Sequence, residues 1–283
     1  MALLLPAIQA AREAARRVQC GSGLRQMGVA VVNYEYAYKH FPTGSKTSPV
    51  LPKQEKFFWS GAILPFVEQA ALRASLDPDQ SWAKPGTANY RALQFSFALF
   101  RCPSANAPAK FLHIVTDRVP CTYLACASGL TGRETKTGSV TVPMIYDLDA
   151  DGMLFVDSHT RHADILDGTS NTILVGETLF LEYRTGPDNN KNVQLVDHWA
   201  IGSPNSNDTE TSEALGSTAN PINAWLDKNA FIEDLELGFA SRHVGGAQVI
   251  FADGHLQFID QHIDRASWSA MGTRFQLDSV QLE

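Results

Sequence analysis

Apolar residues recur at spacings of four and three along the start of the chain, at Leu4, Ile8, Ala11, Ala15 and Val18, with Arg12, Arg16 and Arg17 on other faces. This is the signature of one stripe on an α-helix. After Gly21-Ser22-Gly23 the pattern resumes at Leu24, Met27, Val31, Tyr34 and Tyr38, and it stops before Phe41-Pro42-Thr43-Gly44. The helix should end near His40, because the residue before a proline is biased away from helical geometry. The glycines are candidates for a kink. A helix this long far exceeds the usual mean of about 11–12 residues, so it must lie across something or project from it.

Beyond a Pro- and Lys-containing loop, Trp59 to Leu72 reads as a second helical stretch and Ala88 to Phe100 as a third. From Cys121 onward the texture changes to short β-rich runs: 139–145, 152–156, 172–175, 197–201 and 248–259. Helices followed by strands favour an α+β class over a βαβ repeat. The expected organisation is residues 1–40 as the N-terminal helix and 41–283 as a globular α+β head. The tract 202–220, rich in Ser, Asn, Thr and Gly, reads as a surface loop. Asp253-Gly254, inside Gln248 to Ile259, predicts a two-residue type I′ hairpin in which Phe251 opposes Leu256 and Val249 opposes Phe258. Asp167-Gly168 predicts another tight turn, leading into a strand at Ile173 to Val175.

At 283 residues and 44% hydrophobic content, the chain can bury a generous core. A formal charge of −7 argues against nucleic acid or anionic lipid as partners, since both require a basic footprint. Four cysteines, Cys20, Cys102, Cys121 and Cys126, permit three disulfide pairings, and their spacing matches no zinc motif. Cys121 and Cys126 are close enough to close a small loop. No run approaches the roughly 18 to 20 apolar residues of a membrane span. The abrupt apolar start at Leu3-Leu4-Leu5 is how a trimmed chain looks.

Several segments together resemble a family of prepilin-like (type IV pilin or pseudopilin-like) proteins, a domain of unknown function with a solute-binding label. Its C-terminal signature is a His, nine residues, then Asp-Gly. The resemblance rests on Leu4 to Arg17, on Cys20 with Leu24 to Gly28 and Asn33-Tyr34, and on Phe41-Pro42, Trp59 and Leu64 to Gln69. It continues through Cys102-Pro103-Ser104, Asp167 to Thr172, Val175-Gly176-Glu177 and Ser241 to Gly246, and ends with His243 nine residues before Asp253-Gly254. Gly21-Ser22-Gly23 departs from the Asn pair usual at that place.

The resemblance implies a pilin-like architecture, with a long N-terminal helix packed on an antiparallel β-sheet with elaborated loops. It also implies that an apolar half of the helix, absent here, anchors in the inner membrane or fills a filament core. The protein would then be extracytoplasmic, in the periplasm or at the cell surface, and membrane-anchored when full length. Its partners would be other pilin-like subunits, or copies of itself, in a surface filament or a type II secretion-like assembly. An extracytoplasmic carbohydrate- or solute-binding protein is the alternative, and a hydrolase the third reading.

Candidate chemistry is sparse. Asp147, Asp149 and Asp151 alternate before Gly152, as in the first half of an EF-hand calcium loop, but the twelfth position is Ser158 rather than a bidentate Glu. Ca2+ is accordingly the one cofactor to test, with a solvated acidic turn as the plainer reading. His243 and Asp253, with His255 nearby, form a conceivable pair, although Asp253 is already required by its turn. His159 and His162, with Asp157 and Asp164, are a weaker metal set. Trp199 and Trp225 border the polar loop and are candidate stacking platforms for a carbohydrate, where core packing is the commoner use of Trp. Neither a nucleophile elbow nor a phosphate-binding glycine loop is present, and no residue is nominated as catalytic.

Overall fold

The computed structural model describes residues 4–47, 56–132, 150–185, 192–204 and 213–275. In chain order the elements are α1 (Leu4–Tyr38), β1 (Ser45–Thr47), β2 (Lys56–Phe58), α2 (Trp59–Ala62), α3 (Ala70–Ser75), α4 (Ala88–Ala92), β3 (Phe111–His113), β4 (Val115–Arg118), β5 (Tyr123–Ser128), β6 (Ile173–Glu177), β7 (Leu181–Thr185), β8 (Asn192–Val196), β9 (Gly202–Ser203), β10 (Leu215–Ser217), α5 (Ile232–Glu236), β11 (Gly246–Phe251), β12 (Leu256–Asp260) and α6 (Arg265–Ala270). The class is α+β, as the order of helical and strand patterns predicts. The main sheet runs β10-β5-β6-β11-β12, antiparallel throughout except for the parallel β10–β5 edge.

Strand alternation divides this sheet between two apolar layers. Tyr123, Ala125 and Ala127 of β5 join Val175 and Ile250 in the layer beneath α1. Leu124 and Cys126, together with Val249, Phe251 and Ile259, face the opposite layer, which Trp268 of α6 and Phe239 close. Helix α1 runs over β6, β11 and β12. It enters the core through Cys20, Leu24, Met27, Ala30 and Val31. Gly21 and Gly28 let it come close: a Cβ on Gly21 would stand 2.6 Å from Gln248 Oε1, and one on Gly28 would collide with the Ile250 side chain. These glycines therefore serve packing, and α1 runs through them as one continuous helix. The helix ends at Tyr38, where Lys39 adopts a left-handed φ of 65° and Phe41 turns inward to donate its N–H to Thr160 O.

The first half of α1 turns a different side to the head. Its buried side follows Glu13, Arg17, Cys20, Leu24, Met27 and Val31, again at spacings of four and three. The apolar stripe Ile8, Ala11, Ala15 and Val18 lies roughly 180° away at 100° per residue, and Ile8 and Val18 are 47% and 69% exposed. Polar groups hold this half to the head: the Arg17 guanidinium sits 3.5 Å over the Phe258 ring, and Arg17 O accepts from Gln248 Nε2.

The C-terminal hairpin forms where expected, but one residue out of the expected register. Ile250 opposes Leu256 and Gln248 opposes Phe258. Gly254 N–H donates to Phe251 O, and Phe251 N–H to His255 O, with Gly254 at φ 88°. This is a three-residue loop with a glycine bulge rather than a two-residue turn. The slip moves side chains between faces, so Val249 and Phe251 point away from α1 while Leu256 and Phe258 point toward it. Asp167-Gly168 does form a tight turn before β6, with Gly168 at φ 90°.

Other boundaries shift for local reasons. The stretch from Trp59 to Leu72 breaks into α2, a 3-10 turn over Leu64–Val67 and the start of α3, because Pro65 and a left-handed Glu68 interrupt it. The third helical stretch is helical only over α4 and a 3-10 turn at Ala98–Phe100. Residues 152–156 and 197–201 form isolated bridges, Ser45 with Val156 and Pro120 with Trp199, rather than strands. The run 139–145 lies outside the described residues. Among the described residues no helix is long and apolar enough to cross a membrane.

Candidate functional site

The most concentrated chemistry lies where α1 crosses the end of β6. Glu13 and Cys20 come from α1, Cys102 and Ser104 from the turn before β3, Glu177 from the end of β6, His243 from the tight passage before β11, and Gln248 from β11 itself. Cys20 and Cys102, 82 residues apart in sequence, are joined as a disulfide. Of the three pairings open to the sequence this settles one, and the suggested small loop between Cys121 and Cys126 is not formed. Both of those thiols are free and buried, and burial pushes Cys121 up to about 12 and Cys126 higher still.

His243 is the centre of the cluster. Its Nδ1 lies 2.7 Å from Glu13 Oε1 and its Nε2 3.2 Å from Glu177 Oε1; His243 and Glu177 are each 1% exposed and Glu13 29%. With a carboxylate oxygen facing each nitrogen, the ring is placed to hold a proton at both. Burial opposes that charge, but Glu177 and Glu13 outweigh it and hold His243 above the usual imidazole range. Burial likewise works against the Glu13 carboxylate. His243, Arg16 and Ser104 overcome it and leave Glu13 below the usual range.

The backbone fixes each partner. Ser241 Oγ accepts from His243 N and donates to Gly246 O, while Gly245 turns the chain at φ 91°. Glu177 Oε2 accepts Gln248 N–H at 2.8 Å, and its Oε1 accepts Gln248 Nε2 at 3.2 Å. Ser104 Oγ donates to Glu13 Oε1 at 3.1 Å, and Arg16 Nε to Glu13 Oε2 at 2.8 Å. Cys102 Sγ lies 3.7 Å from His243 Nε2. A groove of about 570 Å³, lined by Ala10, Ala14, Val18, Val244 and Leu256, opens over Glu13 and His243. The arrangement ties the helix to the head with an ion pair, a disulfide and a hydrogen-bond chain at one place.

A second buried cluster sits at the end of β4. Arg118 is fully buried, with Nη1 3.3 Å from Glu213 Oε1, Nη2 donating to Gly202 O and the guanidinium 3.9 Å over Trp199. His113 Nδ1 lies 2.6 Å from Asp197 Oδ2. The Asp197 contact raises His113, and burial raises the Glu213 carboxyl against the pull of Arg118. Asp197 is held low by His113 and Arg118 despite its burial.

The residues singled out by sequence fall elsewhere. Trp199 is 1% exposed and stacked on His113, so it offers no face to a ligand. Trp225 is partly buried, with Arg242 over its ring and Nε1 donating to Asn223 Oδ1. Asp151 is buried, and its carboxylate accepts from Ser128 Oγ at 2.5 Å and Gly129 N at 3.2 Å; Asp147 and Asp149 lie outside the described residues. Asp253 pairs with its neighbour His255 at 2.7 Å, not with His243. His159 stacks on His40, His162 faces Glu35 and Asp164 pairs with Arg161, so that set does not converge.

Glu13 and Glu177 were not singled out by the sequence reading. The signal available was positional: Glu13 lies one turn before Arg17 and two before Cys20 on the side that continues into Leu24, and Glu177 closes the apolar run Ile173 to Gly176.

A family model described as "Protein of unknown function (DUF1559)", with the label SBP_bac_10, matches residues 9–266. No curated protein and no solved structure matches the chain. The match takes in every residue of the His243 cluster and most of α1, and the chain belongs to the DUF1559 family.

Proposed function

We propose that this protein is a pilin-like extracytoplasmic structural subunit, mounted through α1 and assembled with other subunits along the side of that helix which its own head leaves uncovered. The observation that carries the reading is the exposed apolar stripe Ile8, Ala11, Ala15 and Val18, which turns away from the seam that binds the head, Val18 standing at its border beside the groove. An amphipathic helix face left in water costs free energy that a second helix would recover, at about 25 cal/mol per Å² of apolar surface covered. The clamp at His243 supports the same reading, since a helix that transmits assembly must not slide on its head. The role needs no catalytic group.

The test places a photo-crosslinking residue at Val18 in the protein carried by its native cell. Crosslinked multimers are the expected product; a strictly monomeric, unanchored protein would sink the proposal. Val18→Glu should abolish the multimers while moving stability by less than about 0.5 kcal/mol, because the site is exposed.

A solute-binding role is the second reading. It is favoured by a groove of about 660 Å³ between Arg25, Gln26 and Val29 of α1, Phe66 to Gln69 and Phe95 to Leu99, a size that suits a small ligand. Thermal shift across an oligosaccharide panel would reveal it.

A further inference from the structure

The disulfide does not stand alone. Cys20, Cys102, Glu177 and His243 bring one ligand atom each to within 4.8 Å of all the others, and all four residues are buried. Two thiolates, an imidazole and a carboxylate are a zinc-type donor set. Zinc–sulfur bonds of about 2.3 Å and zinc–nitrogen or zinc–oxygen bonds of about 2.0 Å set tetrahedral edges of roughly 3.5 Å from S to N and roughly 3.3 Å from N to O. The corresponding separations here are 3.7 Å from Cys102 Sγ to His243 Nε2 and 3.2 Å from that nitrogen to Glu177 Oε1.

The outer shell is also in place. Glu13 Oε1 accepts from His243 Nδ1 at 2.7 Å, which turns Nε2 inward, as carboxylate–histidine pairs do around zinc. Gln248 N–H holds the second Glu177 oxygen. From these separations and this support we infer that, once the disulfide is reduced, the cluster binds one divalent zinc-type cation through Cys20 Sγ, Cys102 Sγ, His243 Nε2 and Glu177. Disulfide and metal are then alternative staples between α1 and the head.

The exchange balances with a dithiol as reductant. One thiolate of the dithiol attacks a sulfur of the Cys20–Cys102 bond, and its second thiol resolves the mixed disulfide. Two electrons and two protons thereby pass to Cys20 and Cys102, and the dithiol leaves as its own disulfide. Metal binding releases both thiol protons and the His243 Nε2 proton. The two sulfurs separate to about 3.8 Å, the S to S edge of the same tetrahedron.

The test titrates Co2+ and then Zn2+ into the full chain, oxidised and phosphine-reduced, following the thiolate-to-cobalt absorption band and counting zinc by native mass spectrometry. One metal per reduced chain and none per oxidised chain is expected. Cys102→Ser and His243→Ala should each weaken binding at least tenfold, Glu13→Gln about tenfold through the outer shell, and the Cys121→Ser/Cys126→Ser pair not at all. The inference is overturned if the reduced chain takes up no metal, if the oxidised chain takes up as much, or if Cys102→Ser binds as tightly. Circular dichroism covers loss of fold: a reduced chain that unfolds and is not restored by one equivalent of zinc also overturns it.

Discussion

The two ionic clusters differ in what they join: one lies within the head, the other ties α1 to it. Around Arg118, the guanidinium and the His113 imidazole meet two acidic groups, Glu213 and Asp197, in a site buried except toward His113, and the guanidinium also lies on Trp199. Around His243, the imidazole and the Arg16 guanidinium meet two carboxylates, one of them partly exposed beside a groove, with a disulfide 3.7 Å away. The first lies wholly within the head and acts as a strut. The second sits at the joint between α1 and the head, where a proton or a cation can alter how tightly the parts are held.

The difference can be broken from either side. Arg118→Ala leaves Glu213 buried without its partner, and a loss of about 3–5 kcal/mol is expected in denaturant unfolding. Replacing both members with apolar residues, Arg118→Met with Glu213→Leu, should recover most of it, and failure to recover would show that the strut contributes more than charge closure. Cys102→Ser removes the staple at the other cluster and should cost about 2–5 kcal/mol in the oxidised protein. His243→Ala leaves Glu177 with only Gln248 as partner in a buried place, for a loss of about 2 kcal/mol.

Glu13→Gln is the mildest change, about 1 kcal/mol given the partial exposure of Glu13, and its signature is in pH. His243 is raised on folding, so its contribution is complete below the ordinary imidazole range and is lost as pH rises through the folded value. Glu13 is lowered, so its contribution is complete above the ordinary carboxylate range and is lost as pH falls through its folded value. The difference in Tm between wild type and Glu13→Gln should therefore be largest in weakly acidic buffer and shrink toward either extreme. A flat difference from acid to alkaline pH would mean the pair is not ionic.

Much of the fold is legible along the chain because it depends on near neighbours. The long helix, its end before Phe41-Pro42, the turn at Gly168 and the presence of a hairpin at Gly254 all follow from spacing and from the few residues tolerant of positive φ. The hairpin register is the instructive miss. Asp-Gly suits both a two-residue turn and a three-residue loop with a glycine bulge. Which one forms is decided by the faces: Leu256 and Phe258 must meet α1, while Val249 and Phe251 must meet Trp268 and Phe239. The stripe in the first half of α1 shows the same limit. Periodicity shows that Ile8, Ala11, Ala15 and Val18 share a side, but the head binds the side carrying Glu13 and Arg17.

The sequence by itself determined the α+β class, the long helix, the turns and the family resemblance, since these are written in residues near one another or in their order. Only the tertiary structure decided that Cys20 joins Cys102, that His243 turns to Glu13 and Glu177 rather than Asp253, and that Trp199 is buried. Those pairings span 82 residues for the disulfide and 230 and 66 for the two His243 contacts. Over such separations a side chain's partner is set by how the helix and the sheet pack, which no local pattern records.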